Sequence, residues 1–277
     1  MTCVVYTCHN VIPLATGKEL RGTIDLKAFL HQLRWLKLLG VQFITMKHLL
    51  AWFEGKKTIP KRAAVLTFDD ALASISENLF AHLHQQATPI TVFVIAGLVG
   101  RESRFSKHAS GQLRCHLDFD QLRSLLQTGL VEIGAHGYSH RDLTRLDDNE
   151  LWQELRPAKD RLEESLNMEV PYLAYPWGNS TETATQLAKK AGYKLAFTTQ
   201  KKKLVSTNID PFRLPRVNWG RRSTLVQLYK YYLIPWFRKA GEDGDGGQGV
   251  RRAEDKKSRS WEVGKLRSSE VEKKAHS

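Results

Sequence analysis

Over residues 1–200 the chain switches about seven times between short β-forming runs and amphipathic helical runs. No other feature restricts the fold as much. A helix between two strands carries the chain back to the same end of the sheet, so the strands run parallel. The sheet is then either doubly wound or closed as a barrel. The predicted strands are CVVYTCHNV from Cys3, VQFIT from Val41, AAVLTF from Ala63, PITVFVIAG from Pro89, LVEIGAH from Leu130, YLAYPWG from Tyr172 and KLAFTT from Lys194. Helical periodicity covers residues 25–40, 46–55, 74–86, 118–129, 147–167 and 181–192. In the first of these, Phe29, Leu30, Leu33, Leu36 and Leu39 share one face, Asp25 is placed as an N-cap and Gly40 as a stop. Residues 99–117 are polar and read as a surface loop.

A length of 277 residues suits one α/β barrel, and 42% hydrophobic residues supply its core. From Gly241 the composition turns to Gly, Ser and charge with hardly any apolar periodicity. Residues 1–240 are therefore expected to be one domain and 241–277 a disordered charged tail. Nine basic and eight acidic residues nearly cancel in that tail, so the net charge of +13 belongs to the folded part. Such a surface favours anionic partners: acidic glycans, phospholipid surfaces or nucleic acid. No RNA-binding motif and no DNA-binding helix pair is visible, so nucleic acid is not expected. Three cysteines, Cys3, Cys8 and Cys115, form no CxxC and cannot all pair, which argues against a disulfide framework. MTCVVYTCHN has neither a basic start nor an apolar core of signal length, and no 18-residue apolar run exists. The expected location is cytoplasmic, or extracytoplasmic if a leader is missing.

Three short motifs each follow a predicted strand: Thr67-Phe68-Asp69-Asp70, the stretch from Ala135 to His140, and Tyr175-Pro176-Trp177-Gly178. The C-terminal ends of parallel strands share one rim, where ligands bind, so segments remote in sequence can meet there. His136 and His140 are four apart, and one helical turn would project both rings from one face. Two imidazoles and a carboxylate make a facial set for a divalent cation with positions left open. Asp70 as the carboxylate ligand leaves Asp69 free as a general base. A cation there would also offset the cost of two adjacent like charges. Taken alone, an HxxxH is commonly a helix face and a DD pair a cap; their placement at strand ends of one α/β chain gives them weight.

These residues resemble the polysaccharide deacetylases of carbohydrate esterase family 4. The family motif T-F-D-D-G is similar to Thr67-Phe68-Asp69-Asp70-Ala71, and H-[S/T]-x-x-H to His136-Gly137-Tyr138-Ser139-His140 followed by Leu143. R-x-P-Y is similar to Ala174-Tyr175-Pro176-Trp177, and the FRLPR at 212–216 resembles a later motif that closes the site. The resemblance implies a distorted (β/α) barrel of about seven parallel strands with outer helices. It also implies metal-dependent removal of acetyl groups from sugars, in a deacetylase-like catalytic domain. It makes Asp69 the base and Asp70, His136 and His140 the ligands of one divalent metal, zinc first, with cobalt, nickel or manganese as alternatives. The family's usual late L-x-H motif is missing, since His276 is the only His after His140. A circularly permuted branch, which includes poly-N-acetylglucosamine deacetylases, carries that His on the first strand. VVYTCHNV resembles its M-Y-H motif, so the general acid falls to His9.

Four departures stand out. Ala71 replaces a Gly, Gly137 a Ser or Thr, Ala174 the Arg that tethers the base, and Trp177 a Tyr. Arg213 and Arg216 are candidates to replace the missing Arg, and Arg216 is also grouped with Tyr175 and Trp177 for substrate and oxyanion contacts. The Trp177 backbone N–H is the expected oxyanion donor. Trp177, Trp219, Tyr138 and Tyr175 are candidate sugar-stacking faces, although such residues are more often core packing. The stretch from Thr224 to Lys239 mixes aromatic and basic residues; it reads as a last barrel helix or as a peripheral membrane contact beside a lipid-linked glycan. The expected partner is an N-acetylated glycan. Two other readings are a catalytically impaired carbohydrate-binding protein and a metal-dependent hydrolase of a non-sugar amide.

Overall fold

A computed structural model describes residues 2–13, 22–107, 113–199 and 207–219. In chain order the elements are β1 (Thr2–Cys8), β2 (Asn10–Ile12), β3 (Thr23–Asp25), α1 (Leu26–Leu38), β4 (Gln42–Phe43), α2 (Met46–Phe53), β5 (Arg62–Phe68) and α3 (Phe80–Gln85). There follow β6 (Ile90–Val94), β7 (Glu102–Lys107), β8 (Leu113–Cys115), α4 (Phe119–Gln127), β9 (Val131–Ala135) and α5 (Asp148–Leu166). The described chain ends with β10 (Tyr172–Ala174), α6 (Glu182–Lys190), β11 (Leu195–Phe197) and β12 (Val217–Asn218).

The main sheet runs β11-β10-β9-β6-β5-β1-β12, with β4 also paired to β5. Every pair in it is parallel. The segment before β12 reaches both ends of this order. Leu214 bridges Phe197 of β11, and three residues later Val217 pairs with Tyr6 of β1. The sheet curls into the distorted (β/α) barrel expected from the motifs.

Side-chain parity separates two cores. Val4, Tyr6, Leu66, Phe68, Val92 and Ile133 face the helices, together with Phe29, Leu33 and Leu36 of α1. Cys3, Val5, Ala63, Val65, Phe93, Tyr172 and Phe197 fill the inside. Gly134 belongs to the inner face of β9; a Cβ there would lie 2.4 Å from the Phe93 ring, so its bare backbone is what admits that ring. The helices start where their caps demand. Asp25 accepts the Ala28 N–H at 3.1 Å, and Asp147 forms a capping box with Glu150.

Two readings need correction. Within the stretch read as a surface loop, Glu102–Lys107 and Leu113–Cys115 are strands, β7 and β8, which pair antiparallel. The run at 74–86 is not one α-helix, since a π-helical turn at Ile75–Leu79 precedes α3. The expected tail at 241–277 and the stretch at 224–239 lie outside the described residues.

Candidate active site

Parity also builds the site. On β5 the inward series Ala63, Val65, Thr67 continues to Asp69, one residue past the strand. On β1 the series Cys3, Val5, Thr7 continues to His9, and on β9 the inward Gly134 is followed by His136. The parallel register sets Cys8 beside Phe68 and Val94 beside Ala135, so all three side chains emerge at one rim. The Asp69 N–H donates to Cys8 O at 2.8 Å, and the His136 N–H to Val94 O at 2.8 Å.

Asp70, His136 and His140 converge, with their ligand atoms within 4.8 Å of one another. Asp70 Oδ1 lies 3.7 Å from His136 Nε2 and 3.7 Å from His140 Nε2. Those separations exceed hydrogen-bond range. They approach the spacing, roughly 3–3.5 Å, of two donors that share one ion at about 2.1 Å. Asp70 Oδ1 is buried and takes no hydrogen bond from any described residue. His136 Nδ1–H donates to Ala174 O at 2.7 Å, which leaves its Nε2 lone pair directed at the cluster. Burial, and then the neighbouring His136, pushes His140 down to about 4, so its ring is neutral and able to ligate near pH 7. The donor set fits a divalent cation.

The two rings do not meet through a helical turn, as the spacing suggested. Residues 136–140 form no helix; left-handed backbone at Gly137 (φ 73°) and His140 (φ 67°) folds the segment back, leaving ring centroids 4.9 Å apart. Asp70 (φ 69°) and Ala71 (φ 50°) are also left-handed, an arrangement that costs about 1–2 kcal/mol per non-glycine residue. Hydrogen bonds from Leu117 N to Ala71 O (2.8 Å), from Ala73 N to Cys115 O (2.9 Å) and from His116 Nδ1–H to Asp70 O (2.6 Å) hold that turn.

Asp69 stands beside the cluster, its Oδ2 4.0 Å from His136 Nε2. Arg216 grips it with two bonds, Nη1 to Oδ1 at 2.6 Å and Nη2 to Oδ2 at 2.8 Å, and the Thr7 hydroxyl donates to Oδ2 at 3.2 Å. Burial alone would raise the Asp69 carboxyl, but Arg216, with help from His136, holds it below the ordinary carboxylate range. Arg216 thus occupies the tethering role left open by Ala174. It is fully buried, so it offers no surface to a substrate, contrary to its grouping with the substrate contacts. Arg213 instead pairs with Glu182. His9 is half-buried at the same rim, one residue past β1.

Of the four candidate sugar faces, Trp177 alone is exposed, at 58%, with its ring 5.2 Å from that of His140. Tyr175 is fully buried and donates to Phe212 O, which removes it from substrate contact. Trp219 stacks on Phe29, and Tyr138 is partly buried with its hydroxyl beside Arg161. Sequence reasoning missed Thr7, His116 and Glu154. Inward parity on β1 singles out Thr7. Glu154 is an acid inside the apolar stripe Leu151, Leu155, Ala158 of α5. Nothing in the sequence marks His116.

A parallel barrel with an Asp–His–His cluster at its strand ends defines an α/β-barrel protein whose donor set could hold a divalent cation. A family model described as polysaccharide deacetylase matches residues 56–196, and the chain belongs to that family. It is 28% identical over 219 residues to the poly-beta-1,6-N-acetyl-D-glucosamine N-deacetylase of Staphylococcus epidermidis, covering 76% of this chain and 73% of that one. The enzyme of the same name from Staphylococcus aureus is 26% identical over 212 residues, covering 73% and 70%. Among solved structures, IcaB from Ammonifex degensii superposes with a TM-score of 0.67 at 26% identity, covering 79% of this chain and 92% of that one. The deacetylase PplD of Streptococcus pyogenes gives a TM-score of 0.73 at 21% identity, covering 83% and 98%, a likeness of fold.

Proposed function

We propose that this protein is a metal-dependent deacetylase of N-acetylated glycans, with N-acetylglucosamine polymers as the first substrate class. The observation that carries the reading is the convergence of Asp70, His136 and His140 beside a tethered Asp69. The substrates named for the Staphylococcus relatives support the glycan. Asp70 Oδ1, His136 Nε2 and His140 Nε2 would hold the ion, zinc first. When bound, such an ion supplies Lewis-acid polarisation of a carbonyl and a lowered pKa for water.

Asp69 takes the proton released as a water oxygen bonds to the acetyl carbon. Arg216 and Thr7 keep its carboxylate ionised and oriented, so proton transfer does not wait on side-chain rotation. The Trp177 N–H donates to the oxygen on which negative charge develops. As the C–N bond breaks, His9 delivers a proton to the departing nitrogen; without it the leaving group would be an amide anion. The exposed Trp177 indole offers a face to a sugar ring.

Acetate release from N-acetylglucosamine oligomers, with and without a chelator, tests this. The expected result is release that stops with chelator and returns with zinc. Asp69→Asn should retain zinc and lose turnover, whereas His136→Ala should lose both. Oligomer binding without acetate release would replace this reading with a carbohydrate-binding protein. Neither binding nor release would point to a non-sugar amide.

A further inference from the structure

We infer that Glu154 is the positioning residue that sets the His136–His140 segment in its ion-binding shape, a role that rests on the metal reading above. Glu154 lies on α5, 5% exposed, where helical periodicity calls for an apolar side chain. Its Oε2 accepts the N–H groups of Tyr138 (3.1 Å) and Ser139 (2.9 Å), and its Oε1 accepts the Ser139 hydroxyl. Among the described residues no cation forms an ion pair with it, so its polar partners are the loop itself.

The opposite edge of the same loop is held by β6 and the turn after it. The Ala96 N–H donates to Gly137 O at 3.1 Å, and the Gly97 N–H to Tyr138 O at 2.7 Å. The loop is therefore gripped through its carbonyls on one side and its amides on the other, with a ligand at each end. His140, whose left-handed backbone aims its ring, directly follows the two clamped amides. Gly137 belongs to the same device. A Cβ there would lie 3.3 Å from Glu154 Oε2 and 3.2 Å from Pro176, so the bare backbone lets the carboxylate reach the amides. The hydroxyl absent from position 137 is supplied two residues later by Ser139, also onto Glu154.

Partners that orient metal ligands typically change affinity by about 10–100-fold when removed. The test is zinc affinity of the full chain, measured by competition with a chromophoric chelator, alongside melting of the metal-free protein. Glu154→Ala should weaken zinc binding by about 10–100-fold. Glu154→Asp keeps the acid but withdraws it by one methylene, and should weaken binding similarly. Glu154→Gln retains an amide oxygen for the two N–H groups and should recover most of the affinity. A merely structural role would lower the melting temperature and leave zinc affinity unchanged. If Glu154→Ala does not fold, Glu154→Asp and Ser139→Ala carry the test. Wild-type affinity in a folded Glu154→Ala, or in both of those substitutes, overturns the assignment. A wild-type chain that takes no zinc overturns the metal reading and this inference with it, and the unmutated protein alone reveals that outcome.

Discussion

Arg216 shows how one side chain can restore what a motif lacks. Ala174 cannot tether a carboxylate, and two nearby arginines were candidates to do so. Arg213 pairs with Glu182 at the surface, while Arg216 enters the barrel, lies 5.3 Å over the Phe93 ring and grips Asp69 with both terminal nitrogens. Its planar fork matches a carboxylate in a way that a lysine cannot. Arg216→Met should leave Asp69 buried without a counter-charge and cost about 3–5 kcal/mol, measured by urea unfolding. Adding Asp69→Asn to that variant should recover much of the loss. If Arg216→Met unfolds at the wild-type urea concentration, the pair contributes nothing to stability.

At the scale of elements, the inner faces of β5, β6 and β9 work together. Phe93 projects into the barrel because Gly134 on the adjacent strand has no side chain, and Arg216 in turn rests on Phe93. Gly134→Ala places a methyl where a fully buried ring cannot give way; overpacking of this kind costs about 1–3 kcal/mol. The shift should appear in the unfolding midpoint, together with reduced turnover as Arg216 and Asp69 move. A variant with unaltered midpoint would show that the ring relocates freely. The start of α1 was legible from local chemistry, as Asp25 shows. The β7–β8 pair was not, because its short polar strands lack the period-two alternation that marks a half-buried strand. The histidine segment misled for a related reason. A spacing of four is compatible with a helix, but glycine at 137 allowed a left-handed turn instead.

For the whole molecule, the site couples to stability through pH. His140 titrates near 4 in the folded protein, below its ordinary value of 6.5, and burial also lowers His116. Between those limits these two histidines bind more protons in the unfolded chain than in the folded one, so their contribution to stability rises with pH. Asp69, held below its ordinary 3.8, acts in the same direction lower down, since the unfolded carboxylate takes up its proton first. The metal-free protein should therefore melt at progressively lower temperature as pH falls from about 6.5 through 4, with a further loss below that. A flat melting temperature over that range would contradict the buried, neutral state of His140. Bound zinc should raise the melting temperature at pH 7 by mass action.

The alternation of strands and helices, the rim at which the motifs gather and the identity of the Asp–His–His set all follow from sequence, because periodicity and strand-end placement are local properties. Which arginine meets Asp69, which aromatics face solvent and which acid clamps the histidine loop do not follow from it. Those contacts join residues far apart in the chain, such as Arg216 with Asp69 or Glu154 with Ser139, and no local pattern encodes their distance. They were decided when the segment 214–219 crossed from β11 to β1 and packing fixed the depth of each side chain.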